Sequence, residues 1–221
     1  MKSRLFLLLF LLCFKSFSQL PEGFVYVEDV IPDLNVELRY HSSYNFVGSP
    51  IAGYKTNKLI LTTEAAAALK LVQKELLDKN LCLKVYDGYR PQRAVNHFIA
   101  WARNLNDTIN KNIFYPHVNK NNLFAEGYIA THSGHSKGST IDLTIVDANT
   151  GIALDMGSPY DFFGEESWVD YQNISEKQKA NRQILQEVML KHGFRNYSKE
   201  WWHFTLRQEP FPETFFDFVI E

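Results

Sequence analysis

Ser133-Gly134-His135-Ser136-Lys137-Gly138-Ser139-Thr140-Ile141-Asp142 passes from a polar, glycine-containing turn into an apolar, β-branched stretch that continues to Val146. Alternation over Thr140–Val146 predicts a strand, and Asp147-Ala148-Asn149-Thr150-Gly151 predicts a hairpin turn with Ile152–Met156 returning. Outward from this unit, Leu81–Tyr86 is short and apolar enough for a second strand, with an earlier one expected at Val36–Tyr40. Gly193-Phe194 opens a further segment carrying Trp201, Trp202, Phe204 and Leu206. Three helices punctuate these runs. Thr63 is expected to cap one that reaches about Asp78, with Leu69, Val72, Leu76 and Leu77 on one stripe. Pro91 suits the first turn of a second, whose apolar face is Val95, Phe98, Ile99 and Ala102. The third runs from about Ser175 to His192 and stops at Gly193, with Ile184, Leu185, Val188 and Met189 inside and His192 favoured by the helix dipole. Helices and antiparallel hairpins in separate runs point to an α+β fold: a central antiparallel sheet with flanking helices.

The chain has 221 residues, 45% hydrophobic and 22% charged, with 11 glycines and 8 prolines, which excludes collagen-like and largely disordered classes. Lys2 and Arg4 precede the apolar run Leu5–Phe14, and small residues Ser16 and Ser18 follow. The run is shorter than the ~20 residues of a membrane-spanning helix and fits a secretory signal. The expected organisation is a signal peptide at 1–18 and one domain at 19–221, exported to the periplasm and without a stable membrane anchor after cleavage. Net charge is −2, and removing Lys2, Arg4 and Lys15 with the leader takes it to −5. A mildly acidic body argues against nucleic acid or an anionic membrane as partner. Cys13 leaves with the leader, so Cys82 is the single thiol of the mature chain and no intrachain disulfide can form. Stability must come from a core, and about 200 residues can bury roughly 70% of their unfolded surface as one domain. Oligomeric state is open.

Seven histidines are present, and three contexts single out two of them. The turn quoted above can fold back so that the His135 imidazole and the Asp142 carboxylate converge, as zinc prefers. In Glu200-Trp201-Trp202-His203, offset three on a straight strand would place Glu200 and His203 on opposite faces. Both reach one site only if Glu200 lies in a turn or bulge before the strand. In Tyr86-Asp87-Gly88-Tyr89-Arg90-Pro91, Arg90 can point off a strand end, with Asp87 orienting its donor fork toward a carboxylate or developing oxyanion. Taken singly, each string also reads as ordinary structure: a solvent-facing turn histidine, an edge strand with core tryptophans, a surface Asp–Arg pair. Together they form one constellation. His135, Asp142 and His203 give three ligands, whereas a structural zinc is closed by four, so a position remains for water. Zinc brings that water's pKa to about 7. Glu200 is placed to take its proton and pass it to a leaving amine, and Arg90 to stabilise the oxyanion. These are the parts of metal-assisted amide hydrolysis. His41, His97, His117 and His132 have no partner nameable from the sequence and read as surface or satisfied polar residues.

The S-x-H-x-x-G-x-x-x-D, D-G-Y-R-P and E-W-W-H strings together resemble the D-alanyl-D-alanine dipeptidases of the vancomycin-resistance type, in a zinc peptidase superfamily that also contains murein carboxypeptidases. Asn45-Phe46-Val47-Gly48, Gly53-Tyr54, Gly127-Tyr128, Met156-Gly157-Ser158, Tyr160-Asp161-Phe162 and Phe215-Phe216-Asp217-Phe218 look like family segments in the same order. The resemblance implies one zinc on His135, Asp142 and His203, Glu200 as general base and acid, Arg90 on the tetrahedral intermediate and Ser133 near the substrate. It also implies a free D-Ala-D-Ala substrate, held in a small closed cavity that excludes longer stems. Asp161 and Tyr44 lie in family-like segments without an assigned role. Thr140 stands where the family often has alanine. The leader is the larger departure, because depletion of D-Ala-D-Ala for vancomycin resistance belongs in the cytoplasm. An exported copy instead suits salvage of D-Ala-D-Ala released by wall turnover.

Two other readings compete. A murein D,D-carboxypeptidase or endopeptidase would act on longer stem peptides. A non-catalytic wall-binding module, metal-free or with structural zinc, should lack a catalytic element, yet Glu200 is present; a fourth zinc ligand would also be wanted, and Cys82 is distant in sequence.

Overall fold

The computed structural model describes residues 20–221, so the leader expected at 1–18 lies outside the described residues. In chain order the strands are β1 (Phe24–Tyr26), β2 (Asn35–Val36), β3 (Ile60–Thr62), β4 (Leu81–Asp87), β5 (Thr140–Asp147), β6 (Phe194–Tyr197) and β7 (Glu200–Leu206). The helices are α1 (Val27–Val30), α2 (Thr63–Leu77), α3 (Gln92–Arg103), α4 (Lys111–Phe114) and α5 (Glu176–Lys191). Five strands form one sheet in the order β2-β4-β5-β7-β6, antiparallel except that the short β2 runs parallel to β4; β1 and β3 pair separately. The α+β expectation holds. No helix among the described residues is long and apolar enough to cross a membrane.

β5 forms where its composition predicts, but its neighbours cover both faces: every residue from Thr140 to Val146 is buried. Its β-branched and aliphatic side chains suit a central strand better than a half-exposed one. The buried Thr140 hydroxyl lies 2.9 Å from that of Thr205 on β7, so neither is left without a partner.

The helices fall close to their expected ranges. α2 buries Leu69, Val72 and Leu76 and packs on β4 and α5, while Leu77 is exposed. Its cap is Thr62, not Thr63: Thr62 is the extended last residue of β3, and its hydroxyl accepts from the Ala65 amide at 3.4 Å. Pro91 is extended and precedes α3 instead of lying in its first turn. α5 opens on a reciprocal Ser175–Gln178 capping box and ends at His192, after which Gly193 turns the chain at φ +91°.

Two expected strands are cut short. Ile152–Met156 does not form a return strand; Val146 and Ala153 make one isolated bridge. Ile152 is 69% exposed while Met156 is buried, and Asp155 accepts from Gly157 N and Gln178 Nε2, so the segment leaves β5 for α5 after that one bridge. The strand expected at Val36–Tyr40 ends at Val36, because a 3₁₀ turn over Arg39–His41 drives the Tyr40 ring into the core.

Register places the chemistry. β4 and β5 pair Val85 with Leu143, then Asp87 with Asp142; a bulge at Tyr86 supplies the extra residue, without which Asp87 would face Ile141. β5 in turn pairs Asp142 with His203 of β7. Asp87, Asp142 and His203 therefore stand in one row across three adjacent strands. A second irregularity lies between β6 and β7, where Asn196 pairs with Phe204 but Tyr197 pairs with Glu200. Residues 201–203 have no counterpart on β6, and the bent strand carries Glu200 and His203 to the same site.

Candidate active site

The turn after Ser133 is a 3₁₀ turn over Gly134–Lys137, closed by Gly138 at φ +82°. Only glycine fits there: a Cβ would meet Phe24 at 2.2 Å, and the conformation is left-handed. This turn swings the buried His135 over the sheet row. His135 Nε2 lies 3.3 Å from Asp142 Oδ1 and 3.3 Å from His203 Nδ1, and His203 Nδ1 lies 3.1 Å from Asp142 Oδ1. Ligands about 2.0–2.1 Å from a tetrahedral zinc ion stand about 3.3–3.4 Å apart, so this near-equilateral triangle matches one face of such a site. These three residues are the cluster among the described residues that could hold a metal ion.

The surrounding bonds leave those three atoms free to ligate. His135 Nδ1 donates to the Gly88 carbonyl at 2.8 Å, which fixes the tautomer that turns the Nε2 lone pair inward. Asp142 divides its oxygens. Oδ2 accepts from Tyr160 at 3.1 Å and faces Arg90 Nη2 at 3.5 Å, whereas Oδ1 is buried with no hydrogen-bond partner. A buried carboxylate oxygen left in this way, facing two imidazoles, fits a cation. In the protein chain alone, burial disfavours charge on Asp142, but the two histidines outweigh it and hold the carboxyl well below its usual range. Burial likewise opposes the His203 imidazolium, yet Asp142 and Glu200 push its pKa up to about 10.

Glu200 Oε2 lies 3.3 Å from His203 Nδ1, on the half-exposed side of the triangle. The expectation that Glu200 needs a turn or bulge to reach His203 is met by the β6–β7 irregularity. Arg90 leaves the end of β4 as expected; its Nε donates to Asp87 Oδ2 at 2.8 Å, and its guanidinium lies over the Tyr40 ring at 4.9 Å. Asp87 is fully buried, accepts from the Tyr54 hydroxyl at 2.7 Å and is pushed up by burial. Ser133 Oγ accepts from the His135 amide at 3.3 Å, so it caps the ligand turn. Arg90, Ser133, His135, Asp142, Glu200 and His203 all line one cavity of about 240 Å³.

Structure adds residues that spacing could not assign. Tyr40 and Asp161 line the same cavity, and Tyr160 holds Asp142 from behind it. Asp161, at φ +61°, is buried and accepts from Tyr40; burial, with Asp142 nearby, pushes its carboxyl well above the usual range. The loop carrying Tyr160 and Asp161 is pinned by Arg182 of α5, which donates to the carbonyls of Met156, Trp168 and Glu166. Tyr44 is 52% exposed and is not among the cavity-lining residues. Of the remaining histidines, His97 accepts from the Ala52 amide, His132 packs on Phe215 beside Gln92, and His192 meets Glu75.

Residues 21–221 match the model of a peptidase family described as D-ala-D-ala dipeptidase. The D-alanyl-D-alanine dipeptidase of Enterococcus faecium is 37% identical over 199 residues, 90% of this chain and 98% of the relative. That of Streptomyces coelicolor is 38% identical over 197 residues, 89% of this chain and 98% of the relative. The Escherichia coli protein of the same name is 31% identical over 179 residues, 81% of this chain and 82% of the relative.

Proposed function

We propose that this chain, which belongs to the D-Ala-D-Ala dipeptidase family, is a zinc-dependent dipeptidase that hydrolyses free D-Ala-D-Ala to two D-alanines. The observation that carries the reading is the ligand triangle of His135, Asp142 and His203 with Glu200 beside it at the wall of a 240 Å³ cavity. That volume falls below the roughly 300–1,000 Å³ of sites for drug-sized ligands and suits a very small substrate.

A zinc ion held by His135, Asp142 and His203 would supply Lewis acidity and a water acidic enough to give up a proton near neutral pH. Glu200 takes that proton as the water oxygen bonds to the scissile carbonyl carbon, and returns it to the amide nitrogen as the C–N bond breaks. Arg90, held by Asp87 and seated over Tyr40, offers a fixed cation to the tetrahedral oxyanion. Tyr160 keeps Asp142 Oδ2 occupied, which leaves Oδ1 as the oxygen that would hold the ion. Asp161 supplies a buried acid on the cavity wall for the dipeptide's ammonium group, a cation that would offset the cost of its ionisation. Ser133 stands at the same wall for the substrate.

We propose a periplasmic location, resting on the signal-like sequence expected at 1–18, with salvage of wall-turnover dipeptide as the role. D-Alanine release by the protein, with and without chelator and beside Glu200→Ala, tests the chemistry. Chelator-sensitive release, lost in a variant that still binds zinc, is the expected result. No release by metal-loaded protein overturns it, and detection of the enzyme in the cytoplasm with an uncut leader overturns the location.

A further inference from the structure

The site cavity has a larger neighbour. A second cavity of about 630 Å³ is lined by Trp168, Tyr171, Glu165, Glu166 and Lys199, and it shares Tyr128 and Phe163 with the first. Those two rings are stacked, with centroids 4.9 Å apart and planes inclined by 16°. They are a wall common to both spaces.

The two halves of this wall differ in how they are held. Phe163 is 7% exposed, packs on Phe46 with centroids 5.1 Å apart, and donates its amide to the Phe114 carbonyl at 2.7 Å. It belongs to the core. Tyr128 is half-buried on a loop, directly after Gly127 at φ +83°. Its amide and that of Ile129 both donate to the Leu123 carbonyl, at 2.9 and 3.1 Å. Tyr128 packs against the core from this loop and stays half-buried, whereas Phe163 is part of the core.

We propose that the Tyr128–Phe163 stack is the length-determining partition of the site, with Tyr128 its removable half. This rests on the dipeptidase reading and names the residue that confines that site to two residues. Intact, the pair ends the cavity at a volume suited to a dipeptide. Without the Tyr128 ring, the site opens into the larger space, and a peptide extended by one or more residues gains room while the reacting groups stay in place. A rejected substrate is rejected here by steric exclusion, which a single truncation can relieve.

The test compares wild type, Tyr128→Ala, Tyr128→Phe and Phe163→Leu on D-Ala-D-Ala, tri-D-alanine and L-Lys-D-Ala-D-Ala. The tri-D-alanine probe reports extension at either end. Tyr128→Ala should raise the ratio of kcat/KM for tripeptide over dipeptide by about tenfold or more; Phe163→Leu, trimming the same wall from the other side, should move it in the same direction. Tyr128→Phe, which keeps the ring, should retain the wild-type ratio. Variants that still cleave D-Ala-D-Ala with an unchanged ratio overturn the partition and leave the dipeptidase reading standing. A wild type that cleaves tripeptide as readily as dipeptide also overturns it. A wild type with no activity on D-Ala-D-Ala overturns the dipeptidase reading, and the partition with it.

Discussion

The Tyr40 hydroxyl lies 2.9 and 3.1 Å from the two carboxylate oxygens of Asp161, a residue 121 positions later in the chain. This bond does not offset what burial costs the acid, whose carboxyl stays well above its usual range. A carboxyl raised by folding favours the folded state at low pH. That contribution is complete below the ordinary value near 3.8 and is lost as pH climbs toward the raised one. Metal-free Asp161→Asn should therefore be more stable than wild type at pH 8, by about 1–3 kcal/mol. The difference should shrink below pH 4, near the ordinary pKa. Denaturant melts at both values check it; equal stability at pH 8 would remove Asp161 as a buried liability kept for ligand binding.

Glu200 is near the ligand triangle without belonging to it. Glu200→Gln should keep zinc at one per chain by metal analysis while kcat falls about 10²–10⁴-fold, the usual range for a lost proton-transfer group. Loss of zinc along with activity would reassign Glu200 to metal binding.

Arg182 offers its guanidinium to three backbone carbonyls and is 3% exposed. Burial brings its pKa down to about 10, so it remains charged at neutral pH. Arg182→Met leaves those carbonyls unsatisfied and should lower stability by about 3 kcal/mol. Because the same loop carries Asp161 and Tyr160, KM for the dipeptide should rise as well. An unchanged melting curve would show that water replaces the guanidinium without cost.

Glu75 of α2 ties the end of α5 through Lys191 and His192 at 2.9 and 2.8 Å, and these partners hold its carboxyl down to about 2 from 4.5. A depressed carboxyl stabilises the folded state above its ordinary value and loses that contribution as pH falls through the depressed one. Wild type and Glu75→Gln should differ in Tm at pH 6 and converge as pH falls from about 4.5 toward 2. A difference that persists at pH 2 would mean packing, not charge, makes the contact.

The elements that sequence made legible are those whose causes are local. Thr62 and Thr63 border a helix with an unbroken apolar stripe, Ser175 and Gln178 form a cap within one turn, and His135 and Asp142 are joined by a turn with a glycine that alone fits. Glu200 and His203 were readable as a conditional, since spacing states what geometry is needed and only the β6–β7 pairing supplies it. Tyr40, Tyr160, Asp161 and Arg182 were not assignable. Their roles lie in contacts with segments far away in the chain, and no spacing encodes which carbonyl a distant guanidinium meets. The return strand expected at Ile152–Met156 from the hairpin turn stops at the Val146–Ala153 bridge for the same reason, since Asp155 accepts from Gln178 of α5, a contact no local spacing encodes.

The row formed by Asp87, Asp142 and His203 makes this chemistry portable in an unusual form. A protein engineer who wished to graft it would need no loop library for these three positions. Three neighbouring antiparallel strands suffice, with one acidic residue on each of two and a histidine on the third, and one inserted residue to bring the first acid level with the second. His135 must be delivered by a separate turn, and Glu200 by the irregular pairing with β6. The same arrangement gives a blueprint its failure mode: a one-residue slip between strands sends the acid to the opposite face.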